Sequence, residues 1–148
     1  MFLKNYTSEV PVHQTVYRIE QTLLKAGVTG IAKEYLPGSV GKISAITFAI
    51  KFDEGRPVTI RLPVDEDAAQ QALWLDYADG DKLSPDGNTL TMWSKKKKTK
   101  ADFREQAERT AWKIMQDWVE VQLSMIQMKQ ADFQQVFLPY MWDGEQTY

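Results

Sequence analysis

The sequence has no cysteine and a single histidine, His13, and both shortages exclude kinds of chemistry. Without cysteine there is no thiol nucleophile, iron–sulfur cluster, disulfide or cysteine-ligated zinc site. One histidine cannot build a metal site that needs several. The G-x-x-x-x-G-K-[ST], G-x-G-x-x-G and G-x-S-x-G patterns are also missing, so neither a phosphate-binding loop nor a nucleophile elbow is indicated. We therefore expect a protein that is not an enzyme and that uses no cofactor or metal.

Long apolar runs are missing as well. No stretch approaches the ~18 apolar residues needed to cross a bilayer. Polar residues interrupt Met1 to Val10, where a secretory signal would need an apolar core. These features predict a cytoplasmic protein of the host cell with no membrane partner.

The 148 residues are 43% hydrophobic and carry 18 Lys and Arg against 20 Asp and Glu, for a net charge of −2. This length predicts one domain with a core of its own. Pro11 opens an amphipathic helix that Gly27 closes. Three strands are indicated next, over Gly30 to Leu36, Lys42 to Asp53 and Val58 to Leu62, and the short connections between them predict an antiparallel meander.

The rest of the chain predicts helices around one long loop. Asp65 can cap a second helix, and Ala78 to Lys100 predicts a mobile loop in which Leu90 to Trp93 could form a brief strand. Ala101 to about Lys129 has no Gly or Pro and predicts a dominant helix ~43 Å long. A short helix over Ala131 to Leu138 completes a single α+β domain over residues 1–148.

Two neighbouring segments carry opposite charge. The acidic segment, residues 65–88, holds seven acids and one base, and the basic segment, residues 93–104, holds six bases and one acid. The acidic segment lacks the EF-hand pattern, so it does not predict a calcium site. One interpretation is that the two segments simply attract each other.

The other interpretation makes the basic segment a binding site. Its clustered lysines, beside Trp93, could neutralise the phosphates of a nucleic acid. They also precede the long helix, whose N-terminal dipole disfavours cations unless an anion lies nearby. We therefore predict an anionic partner. The residues assigned to this partner are Lys95, Lys96, Lys97, Lys98, Lys100 and Arg104.

Apolar residues cover more than half of the circumference of the predicted long helix. Strands of about six residues are only ~20 Å long and cannot cover all of it. The remainder predicts a stripe that mediates a symmetric homodimer. The residues assigned to self-association are Trp112, Val119 and Ile126. Those assigned to the protomer core are Ala107, Ile114, Trp118, Val121 and Met125.

Several stretches carry a resemblance to a known family. They are EQAERTAW at 105–112, DWVEVQ at 117–122, VFLPY at 136–140, YTSEVPV at 6–12 and RLP at 61–63. Over nearly its whole length the chain resembles a family of small proteins from bacteriophages and integrated elements. The resemblance implies a phage or mobile-element setting and assigns no catalytic residue.

These observations leave two functions open. The first is a non-enzymatic phage accessory protein that binds nucleic acid during phage replication or recombination. The alternative is a protein–protein inhibitor of a host defence nuclease, an anti-CRISPR or other anti-defence protein. In that case its charge and exposed aromatic surface would imitate or cover a nucleic-acid site. The partner is accordingly nucleic acid or a host protein that processes it.

Overall fold

The structure, a computed structural model, describes residues 1–51, 57–91, 93–129 and 132–142. It confirms the predicted α+β class, with an N-terminal helix, a three-stranded antiparallel sheet and then helices. In chain order the elements are α1 (Val12–Lys25), β1 (Gly30–Tyr35), β2 (Ile43–Lys51), β3 (Pro57–Pro63), α2 (Glu66–Ala78), a 3-10 turn (Lys100–Phe103), α3 (Arg104–Gln127), α4 (Phe133–Phe137) and a second 3-10 turn (Leu138–Tyr140). No helix in the described part of the chain is long and apolar enough to cross a membrane.

The helix boundaries follow the signals in the sequence. α1 starts directly after Pro11, and Gly27 beyond its end has a φ of +92°, a left-handed conformation that glycine adopts without strain. Asp65 caps α2, because its Oδ1 accepts a hydrogen bond from the Ala68 N–H at 2.9 Å. The sheet order is β1-β2-β3, as expected for a meander, and the register shifts between Glu34 and Tyr35.

Three predicted boundaries need correction. Leu90 forms an isolated bridge with Leu83 rather than the start of a strand, and Met92 lies outside the described residues. The long helix begins as a 3-10 turn, and its α-helical part has 24 residues, which gives a length of ~36 Å. The last helix spans only Phe133–Phe137, and a 3-10 turn follows it. Phe52, predicted to line the sheet, lies outside the described residues.

The chain packs as two compact units. One consists of Met1–Thr15 with Asp65–Met115, and the other of Val16–Val64 with Gln116–Tyr148. We call them the loop unit and the sheet unit, respectively. The prediction of one domain over 1–148 stays a prediction.

The sheet unit has an aromatic and aliphatic core. Phe137 is fully buried, and its ring lies 5.8 Å from that of Phe48 and 5.5 Å from that of Trp118, both edge-to-face. The aliphatic residues buried with them come from α1, the sheet and α3, and they include Val16, Ile19, Leu23, Ile46, Ile60, Leu62 and Val119. In β2, Ile46 and Phe48 are buried on one face, and Ala45 on the opposite parity is buried too.

The loop unit is built around two tryptophans. Trp74 and Trp112 are both fully buried, and each indole N–H has an acceptor. Trp74 Nε1 donates to the Gly87 carbonyl at 2.7 Å, and Trp112 Nε1 donates to Glu66 Oε1 at 3.0 Å. A buried indole N–H without such a partner would destabilise the fold.

The N-terminal arm of the loop unit is held by polar contacts to α3. The Ser8 carbonyl accepts from Gln106 Nε2 at 3.0 Å and from Arg109 Nε at 3.1 Å. The buried Thr110 hydroxyl donates to the Asn5 carbonyl at 2.9 Å. Gln106, Arg109 and Thr110 of α3 therefore hold the N-terminal arm at Asn5 and Ser8.

Candidate nucleic-acid interface

The described residues between Ala78 and Lys100 make several backbone hydrogen bonds. Asp79 and Gly80 both have positive φ, which turns the chain away from the end of α2. A tight turn follows, in which the Ser84 N–H donates to the Thr89 carbonyl at 2.9 Å. Asp86 Oδ1 accepts from the Ser84 hydroxyl at 2.5 Å and from the Asn88 N–H at 2.9 Å. These two hydrogen bonds lower the pKa of Asp86, because they stabilise its charged form.

The same stretch is tied to α2 at several points. The Trp74–Gly87 hydrogen bond joins it to the core of the loop unit. The Lys100 N–H donates to the Asn88 carbonyl at 2.9 Å, and the Lys100 carbonyl accepts from Gln70 Nε2 at 3.0 Å. Lys100, which is half-buried, therefore serves as an anchor through its backbone.

The Lys96 side chain is bound by groups of its own chain. Its Nζ pairs with Asp81 Oδ2 at 3.3 Å and donates to the Ala78 carbonyl, at the last residue of α2, at 3.0 Å. It also lies 5.8 Å from the centre of the Tyr77 ring. A cation at a helix C-terminus satisfies a carbonyl and complements the dipole. Lys96 thus holds the basic segment onto α2.

Arg104 is also committed to its own chain. Its guanidinium contacts three carboxylates, Asp67 at 2.6 Å, Glu66 at 3.2 Å and Glu108 at 3.4 Å. Burial lowers the pKa of Arg104, but the Asp67 hydrogen bond and the three negative charges outweigh it, so this pKa lies above its ordinary value. The assignment of Arg104 to an anionic partner is therefore corrected: Arg104 joins α2 to α3.

At the start of the long helix, a carboxylate of the protein itself supplies the negative charge that the helix dipole favours. Asp102 Oδ2 accepts from the Thr99 N–H at 2.8 Å and from the Thr99 hydroxyl at 3.3 Å. Together with Glu105 in the first turn of α3, it supplies negative charge at this helix end. The dipole consideration that favoured an external anion here is thereby weakened.

What remains on the surface is a smaller set of residues. Lys95, Lys97 and Lys98 are exposed, and Lys98 Nζ lies 5.5 Å from the centre of the Phe103 ring. Trp93 is 87% exposed, in contrast to the fully buried Trp74 and Trp112. The sequence suggested Trp93 only as a neighbour of the lysines, because composition cannot tell an exposed indole from a buried one.

The residues assigned to self-association lie elsewhere. Trp112 and Val119 are each 0% exposed, so neither can form a surface for a second copy, and their assignment is corrected. Ile126 is half-buried and lines a cavity of about 580 Å³ in the sheet unit with Leu123 and Phe133. Of the predicted core residues, Ala107 is buried and Ile114, Trp118 and Met125 are half-buried. Val121 is 52% exposed and is not a core residue.

Within the described ranges, no group of three or more His, Asp or Glu side chains is arranged to hold a metal ion. His13, the single histidine, is exposed on α1. Comparison of the chain with protein-family models, with curated proteins and with solved structures finds no match.

Proposed function

We propose that this protein is a non-enzymatic phage accessory protein that binds nucleic acid through the exposed lysines of the basic segment, during phage replication or recombination. The observation that carries the proposal is that Lys95, Lys97 and Lys98 remain exposed, while Lys96 and the Lys100 backbone fix the same segment to α2. Lysines on a held backbone are presented to phosphates together. The phage setting rests on the family resemblance described above.

The salt dependence of binding tests this proposal. Because three lysines are exposed rather than six bases, log K should fall against log salt with a slope of about −2.7 on duplex DNA and about −2 on single strands. The variant K95Q/K97Q/K98Q should weaken binding to all sequences alike and flatten the slope. Fluorescence anisotropy with labelled oligonucleotides measures both quantities.

A matched control removes the same charge elsewhere. Lys25, Lys51 and Lys129 are exposed residues of the sheet unit, so K25Q/K51Q/K129Q changes the net charge equally without touching the basic segment. Binding should persist in this control. An equal loss in both variants would show that net charge, not the basic segment, governs binding, and would contradict the proposal.

One observation favours the alternative, an inhibitor of a host defence nuclease. Within the acidic segment, six of the seven acids are exposed, namely Asp65, Asp67, Asp76, Asp79, Asp81 and Asp86, and only Glu66 is buried. Exposed carboxylates can imitate phosphates to a nucleic-acid-binding protein, and two of these six, Asp67 and Asp81, already pair with Arg104 and Lys96. Affinity purification from expressing cells, with and without added nuclease, separates the two functions. Co-purification of a host protein that survives nuclease treatment, combined with no binding to nucleic acid at low salt, would favour the inhibitor.

Self-association belongs to the same proposal, but on a different surface from the one expected. Val121 lies on α3 and is 52% exposed, and Met128 lies in the turn that follows α3 and is 60% exposed. Their seven-residue spacing places them on one side of the helix. We propose that these residues, with the half-buried Met125 between them, form the contact of a homodimer in place of Trp112 and Val119.

A further inference from the structure

Trp93 is the most exposed tryptophan side chain in the described part of the chain, and the residue that follows it, Ser94, is hydrogen-bonded through its backbone and its side chain. The Ser94 N–H donates to the Thr91 carbonyl at 3.0 Å, and the Ser94 hydroxyl donates to Asp81 Oδ2 at 3.2 Å. The Lys96 N–H in turn donates to the Ser94 hydroxyl at 3.2 Å. An exposed indole beside a hydrogen-bonded backbone is pre-organised for a partner, because hydrogen bonds that already fix its neighbours reduce the freedom lost on binding.

Exposure alternates along this stretch. Trp93, Lys95 and Lys97 are exposed, whereas Ser94 and Lys96 are half-buried and make the hydrogen bonds that fasten the backbone. The indole and two ammonium groups are therefore all exposed to solvent within five residues of the chain. This combination of one aromatic platform and adjacent cations binds a nucleotide by both of its parts, the base by stacking and the phosphate by charge.

Duplex DNA can contact the lysines through its phosphates but cannot stack a base on the indole. Its phosphates are accessible, but its bases are stacked on one another and their faces cannot meet an indole without unstacking. An unpaired base offers its face freely. A membrane surface suits lysines beside tryptophan as well, but firm attachment to it uses the wide apolar face of an amphipathic helix, whereas here one indole is the exposed apolar group between Trp93 and Lys98.

We infer that Trp93 is a stacking platform for an unpaired base, so that the basic segment selects single-stranded over double-stranded nucleic acid. This inference rests on the proposed nucleic-acid function and adds its substrate class. The lysines supply attraction to either form, and Trp93 supplies the preference.

The test compares one labelled oligonucleotide, single-stranded and annealed to its complement, at equal low salt. Trp93→Ala should weaken single-strand binding about 5- to 150-fold, as expected for the loss of one stacked base, and should leave duplex binding unchanged. Trp93→Phe should retain most of the affinity. Tyr17→Ala, which removes an aromatic ring 59% exposed in the sheet unit, is the matched control and should bind like the unmodified protein.

The outcomes separate this inference from the proposed function. If K95Q/K97Q/K98Q weakens binding while Trp93→Ala does not, nucleic-acid binding stands and the stacking role is overturned. If neither form of the oligonucleotide binds at low salt, both are overturned. Binding to vesicles of phosphatidylglycerol, lost in Trp93→Ala, without binding to the single strand would reassign Trp93 to a lipid surface and also overturn the inference. Circular dichroism confirms that each variant is folded.

Discussion

At the scale of single residues, Glu66 shows how the loop unit uses a buried charge. Glu66 is only 8% exposed. Its carboxylate accepts a hydrogen bond from the Trp112 indole N–H and pairs with the Arg104 guanidinium. A buried carboxylate is tolerated when its oxygens are hydrogen-bonded and a cation is close. Glu66 therefore joins the first turn of α2 to α3.

Replacing Glu66 should destabilise the protein much more than replacing its neighbour. Glu66→Ala leaves the buried Trp112 N–H without its acceptor, and we expect the free energy of unfolding to fall by about 2 to 3 kcal/mol. Asp67→Ala is the matched control, since Asp67 also lies in the first turn of α2 and pairs with Arg104, but its side chain is 88% exposed. It should cost less than about 1 kcal/mol. Urea unfolding measures both, and equal losses would show that the Trp112 hydrogen bond contributes nothing.

The residue scale also shows what a sequence can and cannot reveal. The cap at Asp65 depends on neighbours within a few residues, so it was predictable. The commitments of Lys96 and Arg104 depend on carboxylates 15 and up to 38 residues away, which spacing does not reveal. The basic segment was thus identified, but three of its six assigned residues act inside the protein: Lys96, Arg104 and, through its backbone, Lys100.

At the scale of elements, α3 shows that the existence of a helix is easier to predict than which of its faces is buried. Its existence followed from an uninterrupted apolar period, and the structure confirms a helix of 24 residues. Which of its two adjacent apolar stripes is buried did not follow, because a period defines faces without saying what covers them. The buried positions include Trp112 and Val119, which were expected outside, and the exposed ones include Val121, which was expected inside.

A pair of substitutions on α3 checks this reversal. Val119 is 0% exposed and Val121 52%, and two positions apart on a helix they lie on nearly opposite sides. Val119→Glu buries a carboxylate without a partner and should remove more than about 4 kcal/mol of stability or prevent folding. Val121→Glu, the same change on the exposed side, should stay within about 1 kcal/mol. Thermal unfolding followed by circular dichroism distinguishes them, and a tolerated Val119→Glu would contradict the burial.

At the scale of the whole molecule, the net charge of −2 says little about binding. One of the two interpretations of the opposite charges, attraction between the segments, agrees with the ion pairs of the structure, and the other stays a prediction. Lys96–Asp81 and Arg104–Asp67 join the basic to the acidic segment, as attraction between the segments predicted. The lysines left exposed are the ones proposed to meet a partner. Ion pairs inside the loop unit thus decide which charges remain available.

The proposed self-association also belongs to the scale of the whole molecule. Val121 and Met128 present apolar side chains that are 52% and 60% exposed, and apolar surface of this kind on one helix side favours a symmetric contact with a second copy. Light scattering at micromolar concentration should then report about twice the 17.0 kDa chain mass. The double change Val121→Glu and Met128→Glu should return the mass to one chain without unfolding, because both residues are exposed. Trp93→Ala should leave the mass unchanged, since Trp93 belongs to the loop unit. A mass of one chain at every concentration would mean that these side chains face water, and the homodimer would be abandoned.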